Sequence, residues 1–240
     1  MHGRAAVLAL LLGQGAAVAA ADARGWTALH HAAASGHADV VQLLLSYGAS
    51  VAAADAAGFT PLHWAVKCGH AAVVQQLLEH GPPLAAASPD TFTPLLLAIK
   101  FGHVDVVQQL LQHGAPLAAA DAVGFTPLHW AVKCGDAAVV HQLLELDAPP
   151  SAAGPQDSTP LHWAAMGGHA AVMQQLLDRG ADVAATTAYG STPLQFAMFD
   201  SHFDAAARLL AAMEPTHADV AREVLSQKML RLVCTWRLRD

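Results

Sequence analysis

The chain has 240 residues, 54% hydrophobic and only 13% charged, a composition that buries an extensive core and excludes a disordered polymer. A formal net charge of −7 argues against nucleic acid as the partner, since phosphate recognition needs clustered Lys and Arg. No uninterrupted apolar run is long enough for a membrane span, and Cys68, Cys134 and Cys234 show no close pairing, which together with the absence of any Asn acceptor for N-glycosylation fits a reducing, intracellular setting.

The first residues, "MHGRAAVLALLLGQGAAVAAADA", have the layout of a secretory signal: Arg4, an apolar stretch over 5–12, then small residues before Asp22. Shifted by 33 positions, however, "GRAAVLALLLGQGAAVAAAD" from Gly3 lies over "GHADVVQLLLSYGASVAAAD" from Gly36. The opening is therefore read as one copy of an internal unit. It starts at the unit's second helix, with Met1 and His2 where a first helix belongs, so part of its apolar face is expected to lack cover.

Further along, "TALH" at Thr27 returns as "TPLH" at Thr60, "TPLL" at Thr93, "TPLH" at Thr126 and Thr159, and "TPLQ" at Thr192, always 33 residues apart. In the copy "DAAGFTPLHWAVKCGHAAVVQQLLEHG", Thr60 is placed as N-cap, Pro61 as first helical residue and Gly69 as the break after a short helix. Val73, Val74, Leu77 and Leu78 form the buried stripe of a second helix, which Gly81 ends in a left-handed conformation. In the copy beginning at Ser88, Ser88 and Thr91 replace the turn Asp and Gly, and Leu96 replaces His; this copy is expected to be looser. Asp147 stands where other copies have Gly, and Asp tolerates the left-handed region at modest cost, so the copy that carries it is also expected to be locally looser. After residue 215 the register stops, and Leu225, Met229, Leu232, Val233 and Trp236 fall on one face of a predicted amphipathic helix over 216–240.

The 33-residue period with its T-P-L-H-x-A pattern resembles the ankyrin repeat family. The resemblance covers residues 3–215: a partial repeat over 3–21, then repeats starting near 22, 55, 88, 121, 154 and 187. It implies an all-α solenoid of stacked antiparallel helix pairs with projecting β-turn loops, whose concave face binds other proteins. The family's Asn before the turn alanine is replaced by Ala53, Ala119 and Ala185, which predicts weaker turn hydrogen bonding.

Histidines recur in two rows, His30, His63, His129, His162 and His37, His70, His103, His169, His202. Equivalent residues of adjacent repeats lie about 8 to 10 Å apart, too far to converge on a metal with bonds near 2 Å. These rings are expected to hydrogen-bond turn backbone between neighbouring repeats. Trp64, Trp130, Trp163 and Phe196 are read as packing between helices, and no phosphate loop, nucleophile or acid-base pair is found. No cofactor is expected.

Two rows are not demanded by packing. Trp26, Phe59, Phe92 and Phe125 precede the capping threonine, and Lys67, Lys100 and Lys133 end consecutive first helices, with Phe101 beside the middle one; they are three of only four lysines. The stretches from Gly58 and Gly124 differ at two positions, so duplication explains part of the pattern, yet the divergent copy "TFTPLLLAIKFGH" keeps both Phe92 and Lys100. Trp26, Phe59, Lys67, Phe92, Lys100, Phe101, Phe125 and Lys133 are thus the candidate partner-binding residues, the rings as anchors and the lysines selecting an acidic segment. The expected function is a non-catalytic adaptor or scaffold, a monomer in the cytoplasm or nucleus. The alternative is a substrate-recruiting piece of a larger enzyme such as a ubiquitin ligase or transferase.

Overall fold

The computed structural model describes residues 2–86 and 92–213, with side chains from residue 5 onward. A single helix, α1 (His2–Gly13), is followed by paired helices: α2 (Ala28–Ala34) with α3 (Ala38–Ser46), α4 (Pro61–Lys67) with α5 (Ala71–Glu79), and α6 (Pro94–Lys100) with α7 (Val104–Gln112). Then come α8 (Pro127–Cys134), α9 (Ala137–Glu145), α10 (Pro160–Met166) with α11 (Ala170–Asp178), and α12 (Pro193–Phe199) with α13 (Phe203–Ala212). No strand occurs among the described residues, where an isolated bridge between Ala21 and Thr27 is the extent of extended pairing. The expected all-helical repeat architecture is therefore what the chain adopts.

Each boundary has a local cause. Thr60 is extended at φ −88° and ψ 167°, its hydroxyl accepts the His63 N–H, and Pro61 supplies the fixed φ of a first helical residue. Asp147 has φ 61° in the position that Gly81 fills with φ 65°, so the carboxylate side chain tolerates the left-handed turn as its sequence position requires. At the break after the first helix, Ser201 has φ 62° in the position that Gly168 fills with φ 64° one repeat earlier.

The core forms because each short helix hides one stripe. Val73, Val74, Leu77 and Leu78 of α5 are at most 4% exposed, and Leu44, Leu110, Leu143, Leu176 and Leu209 repeat the position of Leu77 fully buried. The equivalent Leu11 of α1 is 49% exposed, with Val7 and Leu10 also open. The chain divides into two compact units, 1–134 and 135–240. Within the first, first helices stack as α2 on α4 on α6 on α8, and second helices as α1 on α3 on α5 on α7. Within the second, α10 packs on α12, and α11 on both α9 and α13. Of the copy beginning at Ser88, which is expected to be looser, the turn Ser88–Thr91 lies outside the described residues, as does the helix expected over 216–240.

Candidate functional site

The site is built on the first helices of the N-terminal unit, and histidines hold it in place. The Thr60 N–H donates to His63 Nδ1 at 3.1 Å, which leaves the ring proton on Nε2, and that atom donates to the Ala86 carbonyl at 3.0 Å. His30 reaches the Phe59 carbonyl in the same way at 3.0 Å, and in the C-terminal unit His162 reaches the Ser191 carbonyl at 3.0 Å. Burial pulls the pKa of His30, His63 and His162 below the ordinary 6.5, so the rings are neutral and keep this acceptor-and-donor arrangement. The second row works alike: His70 Nε2 donates to the Ala34 carbonyl at 3.1 Å and His103 Nε2 to the Lys67 carbonyl at 3.3 Å. His30, His70, His103 and His162 thus fasten neighbouring repeats, as their spacing predicts, and His63 ties its helix to the connection that leads to the next repeat.

A buried carboxylate then fixes the turn against the helix. Asp55 Oδ1 accepts the N–H groups of Ala57 and Phe59, both at 2.9 Å, while Oδ2 accepts the indole N–H of Trp64 at 2.9 Å. Asp121 repeats this with Val123, Phe125 and Trp130 at 3.0, 2.9 and 2.9 Å. One side chain therefore sets both the turn Phe and the helix Trp of its repeat, leaving their rings side by side at 5.2 Å for Phe59 and Trp64 and 5.7 Å for Phe125 and Trp130.

The lysines sit over these rings. Lys67 Nζ lies 5.9 Å from the Phe59 centroid and 4.9 Å from that of Trp64. Lys100 Nζ lies 4.1 Å from Phe92 and 5.4 Å from Trp130 of the following repeat, and Lys133 Nζ lies 5.1 Å from Phe125 and 5.0 Å from the same Trp130. Cation–π attraction at an exposed position is worth about 0.5–1 kcal/mol. That biases a long side chain toward the rings, and a charge-assisted hydrogen bond of about 1.5–3 kcal/mol outweighs it.

The candidate residues thus fall into two clusters. Trp26 joins the first, 4.5 Å from Trp64, with the Arg24 guanidinium 4.6 Å from its own ring. Phe59 and Lys67 complete it; Phe92, Lys100, Phe125 and Lys133 form the second around Trp130. The lysines are exposed and Phe59 and Phe92 half-buried, but Phe125 is 6% exposed, so it supports Trp130 and Lys133 from beneath and does not present a ring as an anchor. Phe101, 44% exposed, stacks on His103 at 6.3 Å and touches neither cluster through its ring among the contacts described. Trp64 and Trp130, which the sequence marks only as packing residues, belong to these clusters. Their spacing three residues before Lys67 and Lys133 on one helix was the signal that pairs them with the lysines.

In the C-terminal unit the same repeat positions change character. Ser158 and Ser191 follow the aromatic row, and Met166 and Phe199 the lysine row. There Met166, Ser191, Gln195, Phe196, Phe199 and Asp200 line an open hollow of about 500 Å³. Gln195, which ends the His row, accepts the Thr192 N–H at 3.0 Å through its own amide oxygen.

Three findings from known proteins bear on this arrangement. A family model described as ankyrin repeats, in three copies, matches residues 1–87, 83–153 and 148–222. Among solved structures, the chain is similar to the ankyrin repeat domain of Bcl-3, described as a unique member of the IkappaB protein family. That likeness has 29% identity over 84% of this chain and 90% of the other, with a TM-score of 0.74. No curated protein matches the chain in sequence.

Proposed function

Since this chain belongs to the ankyrin repeat family, a module for binding other proteins, we propose that it is a non-catalytic adaptor that takes an acidic segment of a partner on the first-helix face of its N-terminal unit. The observation that carries this reading is the ring-backed lysine row: three of the chain's four lysines, in consecutive repeats, each with its ammonium within 6 Å of two aromatic rings. Holding a lysine over a ring before the partner arrives reduces the rotamer freedom lost on binding, which for Lys is up to about 2 kcal/mol. Apolar surface at Trp26, Phe59 and Phe92 then supplies contact area beside each charge.

The reading favours the interior of the cell, where the exposed thiols of Cys68 and Cys134 meet a reducing environment. It also chooses the variants that test it. Removing Phe125 empties a buried site and costs roughly 3–5 kcal/mol of stability, which confounds a binding assay. Changing Lys67, Lys100 and Lys133 together to Gln removes the charge and leaves a shorter, polar, uncharged side chain at each exposed position. Partners captured by the intact chain and lost by this variant, with an unchanged helical spectrum, support the reading; equal capture by both overturns it.

A further inference from the structure

Resting on that acidic-segment reading, the geometry of the lysine row specifies how the segment is built. Lys100 Nζ is 5.4 Å and Lys133 Nζ 5.0 Å from the centroid of one indole, that of Trp130, so the two ammonium groups are at most about 10 Å apart. Helices α4, α6 and α8, which end in the three lysines, stack directly on one another. Neighbouring packed helices are spaced by about 8 to 10 Å. Averaged along the row, the positive marks therefore recur about every 8 to 10 Å, the spacing of the helices that carry them, with Lys100 leaning toward Lys133 over the shared Trp130, and aromatic rings lie beside them: Phe59 and Trp64 at the first mark, Phe92, Trp130 and Phe125 at the other two.

Few backbones place carboxylates at that interval on one side. A β-strand offers about 6.7 Å between residues i and i+2, and its i+3 side chain points to the opposite face. A polyproline-II stretch has three residues per turn with about 3.1 Å rise, which returns every third side chain to the same face after about 9.3 Å. It also has flat intervening residues suited to aromatic-lined grooves. An α-helix matches only at i+7, about 10.5 Å, the upper end of the interval. We infer that the partner segment is a polyproline-II stretch with an acidic residue at every third position.

The test titrates the intact chain with three peptides of equal charge, followed by calorimetry at low salt. One is built of Glu-Pro-Pro triplets, one has the same composition with its Glu residues adjacent, and one is an Ala-based helix with Glu at i, i+7 and i+14. The triplet peptide is expected to bind about tenfold tighter than the other two, the ratio that roughly 1.4 kcal/mol supplies. The advantage is expected to vanish in Lys100→Gln/Lys133→Gln and to persist in Arg208→Gln, an exposed cation of α13. Circular dichroism of each variant confirms that it is folded. Equal binding of all three peptides, or preference for the clustered or helical one, overturns the register while leaving the acidic-segment reading standing. No binding of any peptide to the folded chain overturns both.

Discussion

Lys100 and Trp130 belong to successive repeats, yet the ammonium of the first lies 5.4 Å from the ring of the second. The contact arises because the middle repeat carries Leu97 where its neighbours carry Trp64 and Trp130. Leu97 is 4% exposed and gives Lys100 no ring on its own helix. Phe92 and Lys100 therefore lean on the next indole, which lies 5.9 Å from Phe92, and Trp130 becomes the shared floor of two charges.

Replacing Trp130 separates its two jobs. Trp130→Phe keeps a ring beneath both lysines and loses the indole donation to the buried Asp121 carboxylate, so it is expected to cost about 1.5–3 kcal/mol in urea unfolding with partner binding retained. Trp130→Leu, which copies the natural Leu97, is expected to weaken partner binding beyond the effect of the Phe variant. Identical affinities for the two variants would show that the ring plays no part.

Stability is expected to depend on pH through the histidine fasteners. Burial lowers the folded-state pKa of His30, His63 and His162 from the ordinary 6.5. Below that value the unfolded chain binds protons that the folded chain resists, so their contribution is complete above about pH 6.5, declines as the pH falls through it, and levels off below the lowered pKa values. Thermal melts between about pH 7.5 and about pH 5.5 should show a falling midpoint. A His162→Gln variant, which copies the natural Gln195, should show a shallower fall. A midpoint that rises on acidification contradicts the neutral, buried state of these rings.

Two glycines with the same left-handed backbone should differ in tolerance. Gly69 has φ +72° and a Cβ there meets His103 Cε1 at 2.7 Å, whereas Gly102 has φ +71° and nothing within 4 Å of the same point. Gly102→Ala is expected to cost about 1–2 kcal/mol of backbone strain alone. Gly69→Ala adds displacement of the His103 ring and loss of its bond to the Lys67 carbonyl, and is expected to cost more by about a further 1 kcal/mol. Equal denaturant midpoints would show that His103 moves without penalty.

The converse substitution should stabilise. Asp147 holds φ 61° on an exposed turn, and Asp147→Gly relieves that conformation, for an expected gain of roughly 0.5–1 kcal/mol. A lower unfolding midpoint in the Gly variant would mean that the Asp side chain is making a stabilising interaction at the turn.

Much of this fold is visible in the sequence because its signals are local. Thr60 beside Pro61 starts a helix, Gly69 and Gly81 end helices, and Val73, Val74, Leu77 and Leu78 mark the buried side, all within a few residues of one another. The histidine rows are legible for the same reason, since the 33-residue period converts one local guess into an inter-repeat bond. The site is less legible because exposure is set by neighbours. Phe59 and Phe125 sit in almost identical stretches, but Phe125 is nearly closed off while Phe59 is half-open, and Trp130 is flanked by both Phe92 and Phe125 as Trp64 is by Trp26 and Phe59. No local pattern ranks those rings. The dual contact of Trp64 and Trp130, to a carboxylate by the indole N–H and to a lysine by the ring, needs the turn folded back on the helix before it exists.

The most direct measurement is the affinity of the intact chain for a captured partner at two ionic strengths, compared with that of the Lys67→Gln/Lys100→Gln/Lys133→Gln variant. Removal of the three charges is expected to weaken binding at low salt by at least about tenfold and to flatten the salt dependence. An affinity and salt slope unchanged in the folded variant would contradict the assignment of partner recognition to the ring-backed lysine row.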